Sequence, residues 1–183
     1  MRPNIPHAIY LVAIFLMGCS TTPFDDLSMP NSRPYAEPKD GSRARLRIST
    51  DGAVRIADNT SCSTWSDPNS GVGPVARGPL LTKENNSKSL GMPGVAPGDL
   101  TSTELHVRAG RPLLLHYMKQ QGVTYTTVAS CDGLYSFIPK LDHDYQAVFR
   151  QTADGRLCFR GVVDISSPTV PIPNISSGRR CTN

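Results

Sequence analysis

Alternation of apolar and polar residues is the main pattern of the chain after residue 42. Residues 43–49 alternate aliphatic side chains with arginines, and residues 53–57 alternate again after the pair Asp51-Gly52. A period of two is typical of a strand with one buried face, and Asp-Gly is a favoured turn between the strands of a hairpin. We therefore predict a first hairpin here. Its predicted inward residues are Ala44, Leu46, Ile48, Val54 and Ile56.

The same pattern recurs near the end of the chain. Residues 144–151 alternate around aromatic side chains, and residues 156–165 return after a second Asp-Gly pair, Asp154-Gly155. These features predict a second hairpin. Its predicted inward residues are Tyr145, Ala147 and Phe149 on the first strand and Leu157, Phe159 and Val163 on the second.

Between the two hairpins, short runs of β-branched or aromatic residues are separated by Gly or Pro. They predict further strands at residues 103–108, 112–118, 124–131 and 135–138. No window shows the 3.6-residue period of an amphipathic helix. Seven or eight short strands predict an all-β fold, an antiparallel β-sandwich of the immunoglobulin-like or jelly-roll-like kind, with a small closed β-barrel as the alternative.

Residues 59–99 interrupt the strand pattern, because they are rich in Gly, Pro, Asn and Ser. We expect a long irregular loop here, in which residues 80–81 and 89–92 are candidates for a short strand or turn. Loops of this length in compact domains are usually functional or mobile, so the loop is a candidate contact surface. Residues 43–183 are otherwise expected to form a single β domain.

The N-terminal end carries a different signal. An apolar stretch over residues 8–18 follows a single charged residue, Arg2, and ends at Cys19 in the sequence Leu-Met-Gly-Cys. It is shorter than the about 20 residues that a membrane-spanning helix needs. The motif resembles a bacterial lipobox, which implies that residues 1–18 are a signal peptide and that Cys19 is acylated. Because Ser20 rather than Asp follows the cysteine, the resemblance implies an outer-membrane anchor facing the periplasm.

Charge and composition exclude only a few classes of function. The 183-residue chain has a formal net charge of +4, which becomes +3 for the 165 residues left when Arg2 departs with the signal peptide. This is too weak an excess to argue for a nucleic-acid partner. Residues 19–42 contain four prolines among polar residues and are expected to form the lipidated N-terminus and a flexible tether, part of which is ordered if Phe24, Leu27 and Tyr35 pack on the body.

Four further cysteines form an even set that suits an oxidising compartment: Cys62, Cys131, Cys158 and Cys181. Four cysteines allow three pairings, and the sequence does not choose among them. We prefer Cys131–Cys158, which would join neighbouring strands, and Cys62–Cys181, which would hold the C-terminal tail. None lies in a C-x2-C pair or near a histidine at ligand spacing, so no metal is expected.

Catalytic motifs are missing from the chain. It has no G-x-S-x-G turn, no H-x-H or H-E-x-x-H spacing and no phosphate-binding glycine loop, and its carboxylates form no evident pair. The three histidines after residue 19 are expected on strand or loop surfaces: His106, His116 and His143. We therefore expect neither enzymatic activity nor a cofactor.

Two features are candidates for binding. Four arginines are expected to project from the outward face of the first hairpin, where they would either bind phosphate or carboxylate groups or form a solvated strand face: Arg43, Arg45, Arg47 and Arg55. Trp65, the only tryptophan, lies just after Cys62. It is expected either in the core beside a disulfide or as an exposed anchor in an interface.

A series of short motifs resembles small proteobacterial lipoproteins of unknown function. The motifs are Asn59 with Cys62, Leu90-Gly91-Met92-Pro93, Glu104, Ala109-Gly110-Arg111-Pro112, Cys131, Phe137-Ile138-Pro139, Asp144-Tyr145 and Cys158. The chain departs from the pattern at residues 141–143, where a glycine before Asp-Tyr is usual. The resemblance implies the Cys131–Cys158 disulfide and brings no established activity.

Together these features predict a lipid-anchored periplasmic β-sandwich that acts by binding a protein or another envelope component. The loop at residues 59–99 and the arginine face are its expected contact surfaces. Two alternatives remain open, an inhibitor of a cell-wall hydrolase such as a lysozyme and an enzyme with an unrecognised site.

Overall fold

The structure, a computed structural model, describes residues 33–63, 70–76, 86–122, 128–168, 172 and 176–181. The regular elements of these ranges are all β-strands. In chain order they are β1 Arg43–Thr50, β2 Ala53–Asp58, β3 Cys62–Ser63, β4 Ser70–Val75, β5 Thr101–Arg108, β6 Leu113–Gly122, β7 Val128–Phe137, β8 Asp144–Gln151, β9 Cys158–Asp164, β10 Ser176–Ser177 and β11 Arg179–Arg180. Across these ranges we find no helix with the length and apolar character needed to cross a membrane.

The strands form two main sheets. Sheet I has the order β5-β1-β8-β9, and sheet II has the order β10-β7-β6-β2-β4. β1 runs parallel to β8, whereas the other neighbours in both sheets are antiparallel. The all-β sandwich is thus confirmed, with one parallel pair in an otherwise antiparallel arrangement. The closed barrel is wrong, because the described strands form two separate sheets.

The first predicted hairpin is wrong, although its inward residues are right. β1 lies in sheet I and β2 in sheet II, so the chain crosses between the sheets at Asp51-Gly52. Neither residue has a positive φ. A side chain at Gly52 would instead begin 2.5 Å from the carbonyl oxygen of Met118, so the close approach of β6 requires glycine here. The predicted inward residues of both strands are buried in the shared core.

The second predicted hairpin forms between β8 and β9, with Gly155 at a φ of 73° in its turn. The face predicted for β9 is wrong. Leu157, Phe159 and Val163 are exposed, whereas Val162 is buried in the core with the predicted residues of β8. A shift of one residue moves every side chain of a strand to its opposite face.

Both preferred disulfides are present, Cys131–Cys158 and Cys62–Cys181. The first joins β7 of sheet II to β9 of sheet I, so it links the two sheets rather than neighbours in one sheet. The second links β3 to the residue after β11, and these two short strands also pair with each other. The C-terminal end is therefore attached to the body as expected.

Two expected boundaries need correction. Residues 33–42 belong to the body rather than to a flexible tether, because Tyr35 is 4% exposed in the core and Pro34 bridges to Val72. Residues 59–99 are not irregular throughout, because they include β4, which pairs with β2. The strands predicted at residues 124–131 and 135–138 are one strand, β7, from residue 128 onward.

Several expectations lie outside the described residues. Cys19 and the signal peptide lie there, as do Trp65, residues 80–81 and residues 124–127. Residues 89–92 are described and form neither a strand nor a turn.

Candidate functional site

The four candidate arginines do not share one surface. Arg43, Arg45 and Arg47 lie on β1 in sheet I, whereas Arg55 lies on β2 in sheet II. Arg43 is exposed and Arg45 is half-buried, but Arg47 and Arg55 are each only 3% exposed. The predicted arginine face is therefore wrong, since two of its members are covered and its two strands belong to different layers.

Arg47 is covered because it pairs with Glu104 beneath a segment of the chain. The two residues are direct neighbours across β1 and β5, and Oε1 of Glu104 accepts hydrogen bonds from Nε and Nη2 of Arg47 at 2.9 and 2.8 Å. Burial alone would raise the pKa of Glu104. Hydrogen bonds from the amides of Leu90 and Met92 and from Arg47 lower this pKa below its usual range, which keeps the carboxylate ionised.

Both partners of this ion pair hold residues 90–94. The other oxygen of Glu104, Oε2, accepts the backbone N–H groups of Leu90 and Met92. The guanidinium of Arg47 donates to the carbonyl oxygens of Met92, Pro93 and Gly94 at 2.8, 3.0 and 3.3 Å. One buried ion pair thus satisfies five backbone groups of a segment without regular secondary structure, and such groups are costly to leave unpaired.

Arg45 adds a second ion pair beside the first. Its Nε and Nη2 atoms donate to the two oxygens of Asp144 on β8, each at 2.7 Å, and Nη1 approaches the carbonyl oxygen of Leu90 at 3.4 Å. We call Arg45, Arg47, Glu104 and Asp144 the loop clamp. These side chains come from three adjacent strands of sheet I, so the register of the sheet fixes the position of residues 90–94.

Beyond the loop clamp, residues 93–97 form what we call the tip loop. Gly91 and Gly94 have φ values of 71° and 78°, which glycine adopts without strain, and they let the chain turn on either side of buried Met92. Val95 then points into solvent with 90% of its surface exposed. Farther along, Asp99 receives a 2.9 Å hydrogen bond from Arg150, so side chains of sheet I hold the chain on both sides of the tip loop.

Each of the three histidines contacts a carboxylate, which the sequence did not indicate. His116 on β6 is 3% exposed and its Nε2 atom lies 2.8 Å from a carboxylate oxygen of Asp132. His143 Nδ1 lies 2.8 Å from Asp164, and the partly buried His106 contacts Glu37. The expectation of surface positions is thus wrong for His116. In the described ranges, no group of three or more His, Cys, Asp or Glu side chains is arranged to hold a metal ion.

Two open cavities lie away from the loop clamp. The first, about 610 Å³, lies where β1 ends, and its wall includes Asp51 and Lys119. Asp51 accepts hydrogen bonds there from Lys119, from the Tyr117 hydroxyl and from the amide of Gln151, at 2.7, 2.8 and 3.0 Å. Asp51 is therefore already engaged in holding the end of β1 to β6 and β8.

The second cavity, about 630 Å³, is lined by residues 33–40 together with the ends of β2 and β5. Its charged side chains have both signs, with Arg33, Lys39, Arg108 and Arg111 against Glu37, Asp40 and Asp58. A lining with both signs of charge favours neither an anionic nor a cationic ligand. The tip loop is therefore the most distinctive surface, because it combines a fixed backbone with an exposed apolar side chain.

The sequence predicted several residues of this site but not the contacts between them. Arg45 and Arg47 were selected as contacts for a partner, and residues 59–99 were selected as a separate contact loop. The structure brings them together, since the arginines bind the loop itself. Glu104 and residues 90–93 both belong to the motifs of the lipoprotein resemblance, and they contact each other in the structure.

No family model matches the chain, and no curated protein is significantly similar to it.

Proposed function

We propose that this protein is a lipid-anchored protein of the bacterial envelope that binds another protein through its tip loop. The observation that carries the proposal is Val95, which is 90% exposed at the end of a segment held by two ion pairs. Single exposed apolar side chains are common on soluble proteins, so the support comes from the position of Val95 on a backbone that is already held in place. The proposal contains no catalytic step.

A preformed loop lowers the cost of binding. A flexible loop loses conformational freedom when a partner orders it, and this loss subtracts from the binding free energy. Here the backbone before the tip loop is already held by Arg47 and Glu104, and the chain after it is held by Arg150. The polar groups of the outer face of sheet I thus hold the loop rather than a ligand.

The anchor is proposed from the sequence motif that ends at Cys19. Two disulfides in the body are compatible with an oxidising compartment such as the periplasm. The described body begins at Arg33, and the residues between it and Cys19 would span up to about 40 Å if extended. The proposed location is the periplasmic side of the outer membrane, with acyl chains on Cys19 as the membrane anchor.

Metabolic labelling tests the anchor. The full chain, expressed in a Gram-negative bacterium with a radiolabelled or alkyne-tagged palmitate, is expected to incorporate label and to lose residues 1–18. The Cys19→Ser variant is expected to remain unlabelled. An unprocessed, unlabelled wild-type chain in the cytosol would contradict the proposal.

The binding role is tested by comparing two exposed valines. Val95 lies in the tip loop, whereas Val128 is 64% exposed at the start of β7 in sheet II. After chemical cross-linking in the cells, purification of the full chain is expected to recover the same partner with wild type and with Val128→Asp. Val95→Asp is expected to lose at least nine-tenths of it. Equal recovery with both variants would show that the tip loop is not the contact.

A second candidate function, inhibition of a cell-wall hydrolase, is favoured by the shape of the same loop. Residues 93–95 are exposed and the carbonyl oxygen of Pro93 is held by Arg47, and a preformed exposed loop suits an enzyme cleft. A c-type lysozyme and a lytic transglycosylase, each assayed by the clearing of peptidoglycan suspensions, are suitable probes. Inhibition at a one-to-one ratio, weakened at least tenfold by Val95→Asp and unchanged by Val128→Asp, would support this candidate, whereas full activity of both enzymes would reject it.

A further inference from the structure

The edge of sheet I carries an apolar strand. β9 is the last strand in the order β5-β1-β8-β9, and no described residue pairs with the side of β9 that faces away from β8. An edge strand presents backbone N–H and C=O groups that a further strand can bind. Soluble proteins usually protect such edges with charged side chains or proline.

The outer face of β9 carries apolar side chains instead. Leu157, Phe159 and Val163 are 59%, 53% and 53% exposed, and the strand period of two places them on one face with Gly161 and Ile165. A side chain added at Gly161 would meet nothing within 4 Å. The edge therefore offers a row of apolar side chains with an open position at its centre.

We propose that β9 pairs with β9 of a second copy of this chain, antiparallel and with the two-fold axis at Gly161. Gly161 is the middle residue of the seven-residue strand. In this register Phe159 lies opposite Val163 of the second copy, and Leu157 lies opposite Ile165. Each apolar residue of the outer face then meets an apolar residue, which is the self-complementarity that a two-fold interface needs.

The charges of the strand agree with the same register. Arg160 points to the other face of β9, where its guanidinium lies 5.4 Å from the ring centre of Tyr135. It would lie opposite Val162 of the second copy, between the diagonal positions of Arg160 and Asp164 of that copy. Asp164 is buried and lies 2.8 Å from His143 of its own chain. No like charges lie directly opposite each other across the pair, an arrangement that would disfavour it. The result is a continuous sheet of eight strands built from sheet I of both copies.

This inference is independent of the tip loop and of the lipid anchor. Arg47 on β1 holds the tip loop, whereas the dimer uses the free edge of β9, which is two strands away in sheet I. A dimer would therefore leave Val95 accessible and would present two tip loops from one sheet.

Cysteine cross-linking of the full chain tests the register. Opposite residues in an antiparallel pair have Cα atoms about 4.5–5.5 Å apart, which is within the range that a disulfide spans. Gly161→Cys is expected to give a covalent dimer when copper phenanthroline removes one electron and one proton from each introduced thiol. Gly98→Cys is the matched control, because Gly98 is also exposed, lacks a positive φ and has open space around it.

The expected yield of dimer with Gly161→Cys is at least tenfold higher than with Gly98→Cys. Adding Phe159→Asp to Gly161→Cys is expected to reduce the yield at least tenfold, because the carboxylate would face Val163 of the second copy. Phe159 is more than half exposed, so the fold should survive, and an unchanged circular dichroism spectrum would verify this. Equal yields from the two cysteine variants, or a cross-link to a different protein, would overturn the proposal.

Discussion

Arg47 on β1 lies directly opposite Glu104 on β5, and a single oxygen of Glu104 accepts hydrogen bonds from two nitrogens of Arg47. Both side chains are less than one-tenth exposed. Removing two charges from water is costly, and the ion pair alone seldom repays this cost. The additional hydrogen bonds to residues 90–94 offset part of it. The pair therefore matters more for the position of the loop than for the net stability of the fold.

Removing the charge of Glu104 should be strongly destabilising. Glu104→Gln leaves the guanidinium of Arg47 buried without its counter-charge, and breaking a buried pair in this way typically costs about 3–5 kcal/mol. Urea unfolding at pH 7, followed by circular dichroism, measures the change in the free energy of unfolding. Hydrogen exchange should also accelerate at the amides of Leu90 and Met92, which donate to this carboxylate.

The matched control is Arg150→Met. Arg150 pairs with Asp99, but both side chains are about half exposed, so this pair should contribute about 1 kcal/mol or less. If Glu104→Gln and Arg150→Met had the same small effect on unfolding, the ion pair of Arg47 and Glu104 would not hold the loop as we describe.

The hydrogen bonds of Asp51 predict that the folded protein loses stability in acid. Burial alone would raise the pKa of Asp51, but hydrogen bonds from Lys119, the amide of Gln151 and Tyr117 lower it below its usual value. A carboxyl whose pKa is lower in the folded state stabilises the fold above its unfolded pKa of about 3.9, and this contribution disappears as the pH falls through the folded pKa.

The comparison of wild type with Asp51→Asn isolates this contribution. At pH 7 the variant should be less stable by about 1–2 kcal/mol, because the charged partner of Lys119 is lost. The difference should shrink as the pH is lowered from about 5 to about 2, because wild-type Asp51 then becomes protonated. Free energies of unfolding in urea across this pH range provide the measurement. A difference that stays constant with pH would contradict the assignment.

The strand pattern predicted the sandwich and most of its core, because each strand has one face in the core and the period of two reveals that face. β9 shows where this logic fails. Cys158 must point inward to reach Cys131 in sheet II, so Phe159 must point outward. A disulfide between neighbouring strands of one sheet is compatible with an inward Phe159, so only the link between the two sheets fixes the face of β9.

Other features depend on contacts that a single sequence does not display. Asp51-Gly52 suits a hairpin turn, but whether the next strand pairs or crosses to the other sheet depends on β5 and β6, which come later in the chain. Arg47 and Glu104 are 57 residues apart, and their contact follows from the pairing of β1 with β5. The alternation of arginines predicted outward side chains on β1 correctly but gave no sign that residues 90–94 cover Arg47.

The disulfide between the sheets should contribute substantially to stability. Cys131 and Cys158 are 27 residues apart, and closing a loop of this size is expected to stabilise the fold by about 2–4 kcal/mol. The double variant Cys131→Ser with Cys158→Ser should therefore unfold at a lower urea concentration than wild type. Unchanged unfolding of this double variant would mean that core packing alone holds the sheets together.

The backbone conformation at Gly94 gives a final prediction, which tests the conformation of the tip loop without changing a polar or charged side chain. Gly94 has a φ of 78°, whereas Gly98, four residues later, has no positive φ. An alanine in the left-handed region costs about 1–2 kcal/mol, so Gly94→Ala should distort the tip loop or destabilise the chain by this amount. Gly98→Ala should leave stability unchanged or slightly raised, because alanine restricts only the unfolded chain. Urea unfolding of the two variants tests the difference. If both alanines had equal effects, the clamped conformation of residues 90–94 would not persist in solution.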